Sequence, residues 1–189
     1  MKQYISEFSS LKIAKLLSLN YIGAIVQGRA EAGPRALGNR SILADPRIIK
    51  NKDRINGLIK KRDAYQPLAP LCLSEDFNDF FVAPYANIKL DYMQCAINCK
   101  ANSLIEIPAV IHSNLTARVQ IITKKNHLRL YEILTEYKKI TGIGVLINTS
   151  FNGKNEPIVN SINEVYMAYK VLDLDFLVID NFLITRVNI

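Results

Sequence analysis

Short apolar runs rich in branched side chains alternate along this chain with segments of helical period, and that interleaving leaves few folds open. Tyr21–Val26, Leu71–Leu73 and Gly144–Asn148 read as buried strands. Ser6–Leu19 places Phe8, Leu11, Ile13, Ala14, Leu16 and Leu17 at helical spacing, which predicts an amphipathic helix packed on the rest of the chain as residues 1–20. A second helix is expected over Arg47–Lys61, with Asp45 as N-cap, Pro46 at the first helical position, and Ile48, Ile55, Leu58 and Ile59 turned to the core. Glu75–Phe81 reads as a short acidic-aromatic helix, and His127–Thr141 as a long one closed by Gly142. Ser161-x-x-Glu164 has the form of a capping box opening a last helix to Leu172. Tyr92–Asn98, Ile107–His112 and Thr116–Thr123 are expected as adjacent strands, and Phe176–Ile179 with Phe182–Val187 as a hairpin through Asp180-Asn181. The pattern predicts a single α/β domain over 1–189, a twisted mixed β-sheet flanked by helices.

Charge is distributed far less evenly than hydrophobicity. Gln27–Arg62, beginning QGRAEAGPRALGNRSILADPR, holds ten Lys or Arg against three acidic residues, so its net +7 equals that of the whole 189-residue chain. Gly28, Gly33 and Gly38 punctuate the loop at every fifth residue. Glycines let backbone N–H groups approach an anion, and arginines offer forked, permanent charges matched to phosphate oxygens. The alternative is a surface loop whose arginines pair with the protein's own carboxylates. Arg29, Arg35, Arg40 and Arg47 outnumber the local Glu31 and Asp45, which favours anion binding. Neither a GKS/GKT phosphate loop nor a GxGxxG fingerprint is present.

Three other stretches carry chemistry. Lys60-Lys61-Arg62 ends a helix and leads into QPLAP, so Lys60 and Arg62 can point the same way once the backbone extends; taken alone, the stretch reads as a solvated helix C-terminus. Asn148-Thr149-Ser150-Phe151-Asn152 follows a buried strand, where ligands of α/β sheets gather, although an ordinary turn has the same composition. In HSNLTARVQ, Arg118 interrupts an apolar strand pattern and is expected to face a cleft or a partner charge, while His112 is either a general base or structural. The odd cysteine count (Cys72, Cys95, Cys99) favours reduced thiols and a cytoplasmic setting. Cys95 and Cys99 are spaced to face each other on a helix as metal ligands, but no second Cys or His pair joins them and burial is the simpler reading. No signal peptide or membrane-length apolar run occurs, so no membrane partner is expected.

Taken in order, QGRAEAGPRALGNRSILADPR, KDRIN, IKKR…QPLAP, IPAVIH, TARVQ and LINTSFN…EPIV resemble the C-terminal domain of the O-carbamoyltransferases of nodulation-factor and antibiotic biosynthesis, the tobramycin and cephamycin type. The resemblance runs from Tyr21 to the end. It implies a YrdC-like fold, whose K-x-R and S-x-N signature matches Lys60-x-Arg62 and Ser150-x-Asn152. It also implies formation of carbamoyl adenylate from carbamoyl phosphate and ATP carried with Mg²⁺. By that analogy Lys60, Arg62 and Arg118 are the catalytic group, and Arg35, Thr116, Asn148, Ser150 and Asn152 bind substrate or nucleotide. Arg29 and Arg40 are second choices that can instead brace the loop, and no protein-held metal is expected.

Several positions depart from the family. Gln66 stands where an Arg is usual, Asn114 and Leu115 replace an Asp-Gly, and Asn155 replaces a Gly. The acceptor domain of the family, which passes the carbamoyl group to a hydroxyl, does not fit within 189 residues, so a separate protein is the expected partner, the alternative being that the chain is a split or decayed remnant. Two other functions compete: a catalytically silent nucleotide-binding subunit, and an RNA-binding module linked to tRNA modification. The absence of Trp and the scarcity of aromatics in the basic stretch count against nucleic acid.

Overall fold

The computed structural model describes residues 3–84 and 88–187. Among the described residues ten strands and six α-helices follow one another, and eight of these strands form the central sheet, in the order β1-β10-β9-β2-β3-β8-β4-β7. These strands are β1 (Tyr4–Glu7), β2 (Gly23–Val26), β3 (Arg40–Ala44), β4 (Ala69–Leu73), β7 (Gln120–Ile122), β8 (Val145–Ser150), β9 (Phe176–Ile179) and β10 (Phe182–Thr185). The pairs β2–β9 and β4–β7 are parallel and the other neighbours antiparallel, so the sheet is mixed. β5 (Ile97–Asn98) and β6 (Thr116–Ala117) pair separately.

Both faces of the sheet are covered, as its unbroken apolar runs require. On one face, α1 (Ser10–Ser18) and α5 (Leu128–Thr141) pack together and bury Ile13, Leu17, Ile133 and Tyr137 against Ile25, Leu43 and Leu146. Successive residues of β8 point to opposite faces, so Val145 and Ile147 enter the other core, with Ile55, Phe81 and Tyr169. That core takes Phe77 and Phe80 from α3 (Phe77–Phe80), Val165 and Tyr169 from α6 (Ile162–Val171), Ile55 and Ile59 from the turn that follows α2 (Ile49–Asp53), and Ile107 from just after the short α4 (Ser103–Glu106). Two of the predicted caps form. Gly142 takes φ +82, and Ser161 Oγ accepts from Glu164 N while Glu164 Oε2 accepts from Ser161 N.

Several local expectations are corrected. Residues 4–7 form strand β1 along β10 instead of opening the first helix, because the Ser9 side chain caps α1 by accepting from Lys12 N at 3.3 Å. Asp45 is no N-cap: its carboxylate is taken by the Arg47 backbone N–H and guanidinium, and the helix starts only after Ile48. That helix then widens into a π-helical turn over Arg54–Ile59, which leaves Leu58 72% exposed while Ile55 and Ile59 stay buried. Glu75–Phe81 divides into a 3₁₀ turn, Ser74–Asp76, and α3. Of Tyr92–Asn98 only β5 is strand. Ile107–His112 is a 3₁₀ turn over Pro108–Val110, whose leading proline has no N–H to give a ladder. Thr116–Thr123 breaks into β6 and β7, which belong to different sheets. Cys95 and Cys99 do not lie on a helix, and no group of three or more His, Cys, Asp or Glu able to hold a metal exists among the described residues. No described helix is long and apolar enough to cross a membrane.

Candidate functional site

β8 runs between β3 and β4, and its last residue, Ser150, lies beside Ser41 at the start of β3. The strand therefore delivers Ser150 and the following Asn152 to the sheet edge where the glycine-rich loop arrives. Lys60 reaches the same point from the end of the π-helical turn. Its ammonium donates to Ser150 O, to Ser150 Oγ at 3.1 Å, to Asn152 O at 3.0 Å and to Asn152 Oδ1 at 2.5 Å. Ser150 Oγ in turn donates to Asn152 Oδ1 at 2.7 Å. The two halves of the sequence signature, 90 residues apart, are thus one hydrogen-bonded cluster.

Lys60 is only 5% exposed. Burial first, and the Arg62 charge second, pull its pKa from 10.5 down to about 7, against the opposing pull of Glu156. Lys61 turns the chain through φ +47, and Arg62 follows, half-buried, with burial lowering its pKa. Arg62 Nε donates to Asn56 Oδ1 at 2.8 Å.

Three cavities meet at Ser150. The smallest, about 270 Å³, is lined by Arg35, Arg62 and Arg118 together with Gln66, His112 and Asn148, and by no carboxylate. A larger one, about 580 Å³, runs past Lys60, Lys61, Arg62, Asn152 and Lys154. The third, about 490 Å³, is bordered by Glu31, Gly33, Asn152 and Glu156. Arg62 lines the first two and Ser150 all three.

The break between β6 and β7 explains Arg118. It sits between strands of two sheets, where its side chain lines the small cavity, and no carboxylate pairs with it among the described residues. Thr116 lines none of the three cavities. Its hydroxyl donates to Asn114 Oδ1 at 2.7 Å and so accepts from His112 Nδ1 at 2.9 Å, which leaves His112 Nε2 as the ring's free nitrogen. Burial, then Arg118 and Lys52, lower the His112 pKa and favour this neutral ring.

The remaining predicted residues shape the loop. Arg40 is buried and donates to the carbonyls of Gln27, Asn39 and Gly28 at 2.8–3.0 Å, so it braces the loop from beneath. Asn148 Nδ2 donates to Ala36 O at 2.9 Å. Arg29 is exposed and lines none of the three cavities. Sequence reasoning missed two of these supports. Gln120 Nε2 holds Leu37 O at 2.8 Å, and Glu31 Oε1 accepts from the N–H groups of Leu37 and Asn39 at 2.7 Å and of Arg40 at 3.3 Å. The GNRS segment gave no sign that its backbone, and not an arginine, would claim the loop's glutamate.

The family described as Carbamoyltransferase C-terminus matches residues 14–186. The chain belongs to that family. Among relatives, it is 43% identical to nodulation protein NolO of Bradyrhizobium diazoefficiens over 161 residues, covering 85% of this chain and 29% of that protein. It is 44% identical to nodulation protein NolNO of Sinorhizobium fredii over 161 residues, covering 85% of this chain and 24% of that one. The chain therefore spans less than a third of the length of these relatives. In fold it is similar to the YrdC-like region of full-length HypF, solved in a phosphate- and nucleotide-bound form, with a TM-score of 0.64 at 16% identity, over 95% of this chain and 23% of that one.

Proposed function

We propose that this carbamoyltransferase domain makes carbamoyl adenylate from carbamoyl phosphate and ATP. One observation carries the reading: a small cavity with three guanidinium groups and no carboxylate opens, at Ser150 and Arg62, onto a larger basic cavity. The small cavity suits the compact dianion and the larger one the triphosphate. Mg²⁺ enters on the nucleotide as part of the substrate.

In this reading water first cleaves carbamoyl phosphate to carbamate and inorganic phosphate. A carbamate oxygen then attacks the α-phosphorus of ATP, the bond to the β-phosphate oxygen breaks, and pyrophosphate leaves with that electron pair. No side-chain nucleophile is needed, so the protein contributes positioning and electrostatic stabilisation. Arg35, Arg118 and Arg62 hold the phosphoryl and carbamoyl oxygens. Lys60 holds Ser150 and Asn152 in place beside the adenylate and adds its charge to the phosphates leaving through the larger cavity. Transfer onward to an acceptor hydroxyl is assigned to a further domain outside these 189 residues.

The test is pyrophosphate release from ATP and Mg²⁺, with and without carbamoyl phosphate, with products read by mass spectrometry. Release that depends on carbamoyl phosphate, with a carbamoyl-adenylate mass that disappears in Lys60→Ala and Ser150→Ala, is the expected result. ATP binding without turnover would identify a silent nucleotide-binding subunit instead. Tight, steeply salt-dependent RNA binding in place of nucleotide binding would assign the basic stretch to RNA.

A further inference from the structure

The widened turn Arg54–Ile59, closed by Lys60 N donating to Ile55 O at 2.7 Å, displaces the chain by one residue from ordinary helical phase. Such turns cost helical regularity and recur where a side chain must be carried to a particular place. The polar residue this turn carries inward is Asn56, which is wholly buried and lines none of the three cavities at Ser150. Its side chain spends itself on the segment that follows. Nδ2 donates to Ala64 O at 3.1 Å and Gln66 O at 2.9 Å, while Oδ1 accepts from Arg62 Nε at 2.8 Å. Its carbonyl accepts from Arg62 N, also at 2.8 Å. Apart from Asn56, the Arg62 guanidinium reaches only Pro67 O, at 3.5 Å, and no carboxylate pairs with it among the described residues.

We infer that Asn56 is a positioning residue, holding the Arg62 guanidinium by its Nε edge so that the two Nη groups face a phosphoryl ligand at the junction of the small and larger cavities. The inference rests on the proposed reaction for the identity of that ligand. A neutral amide suits the task where a carboxylate would not. It fixes the plane of the guanidinium without cancelling the charge that the ligand must meet, and its N–H₂ satisfies two carbonyls that a carboxylate would repel.

The test is a double-mutant cycle over wild type, Asn56→Ala, Arg62→Ala and the double variant. It is read as the Kd for inorganic pyrophosphate by calorimetry, and as kcat and KM for pyrophosphate formation. Asn56→Ala should weaken pyrophosphate binding roughly tenfold and lower kcat, yet change either by less than about twofold once Arg62 is already alanine. Equal losses in both backgrounds would make Asn56 a structural residue only and overturn the inference. Should Asn56→Ala fail to fold, Asn56→Ser takes its place in the cycle, since its side chain is one atom shorter and leaves the Arg62 Nε unheld. Binding about tenfold weaker with Arg62 present and changed less than about twofold in Arg62→Ala supports the inference, and equal losses in both backgrounds overturn it. If wild type binds pyrophosphate but forms none from ATP, the proposed reaction fails while the binding cycle still decides Asn56.

Discussion

Replacing Lys60 with methionine should remove a pH dependence from the folding stability of this domain. The folded pKa of Lys60, about 7, lies below the ordinary 10.5, an interval of about 3.5 pH units. Below about pH 7 both folded and unfolded chains carry the proton, and the whole cost of burying the charge is present. Between about 7 and 10.5 the unfolded chain keeps a proton that the folded chain has released, so stability rises with pH. Above 10.5 the cost is gone. The full interval corresponds to an upper limit of about 5 kcal/mol, or about 3 kcal/mol between pH 7 and 9. The four oxygens around the ammonium, which favour the charged form, reduce that figure.

Methionine keeps an unbranched apolar stem and does not titrate. Urea unfolding followed by circular dichroism, at a series of pH values, gives the difference in stability between wild type and Lys60→Met, in which all other titrations cancel. That difference should move toward wild type as pH rises from about 7 to 9. A difference independent of pH would refute the reasoning and mean that the four oxygens hold Lys60 fully charged. A polyanion in the adjoining cavity acts in the opposite sense, raising the Lys60 pKa. Pyrophosphate binding near pH 8 should accordingly take up more protons in wild type than in Lys60→Met, measured by calorimetry in buffers of different ionisation enthalpy.

Arg118 lines the small cavity and not the larger one, so Arg118→Gln should raise KM for carbamoyl phosphate by about 10- to 100-fold while leaving the Kd for pyrophosphate nearly unchanged. Gln66→Arg adds a guanidinium to a cavity that already holds three, and should lower KM for carbamoyl phosphate several-fold. A rise in KM would mean instead that the Gln66 amide itself contacts the substrate. Gly38 has φ +109, and an added Cβ would collide with Leu130 and lie 2.6 Å from His127 Nε2. Gly38→Ala should cost about 2–3 kcal/mol, read as a lowered thermal midpoint.

The elements legible in the sequence were those whose signals are local. Gly142, the Ser161–Glu164 capping box, the Asp180-Asn181 hairpin and the apolar β8 run each announce themselves within a few residues. The errors fall where a distant partner decides. Residues 4–7 look like the first turn of a helix until β10, almost 180 residues away, offers them a ladder. Thr116–Thr123 reads as one strand because nothing local says that β6 pairs with β5 while β7 pairs with β4. The π-helical turn is invisible to a 3.6-residue period, which is why Leu58 looked buried and Asn56 attracted no notice.

The charge reading met the same limit in a different form. A surplus of arginines in Gln27–Arg62 was countable, but which of them stay available depends on contacts that counting does not see. Three are spent inside the protein: Arg40 on loop carbonyls, Arg47 on buried Asp45, and Arg54 on Asp175. The loop's other acid, Glu31, neutralises none of the rest, because one carboxylate oxygen is committed to three backbone N–H groups. With Glu31 committed to those N–H groups, no carboxylate pairs with Arg35 at the cavity wall among the described residues. Arg118, from the break between β6 and β7, then adds its charge to the same cavity, whose lining holds no carboxylate. The anion site proposed here owes as much to where the acidic residues are occupied as to where the basic ones lie.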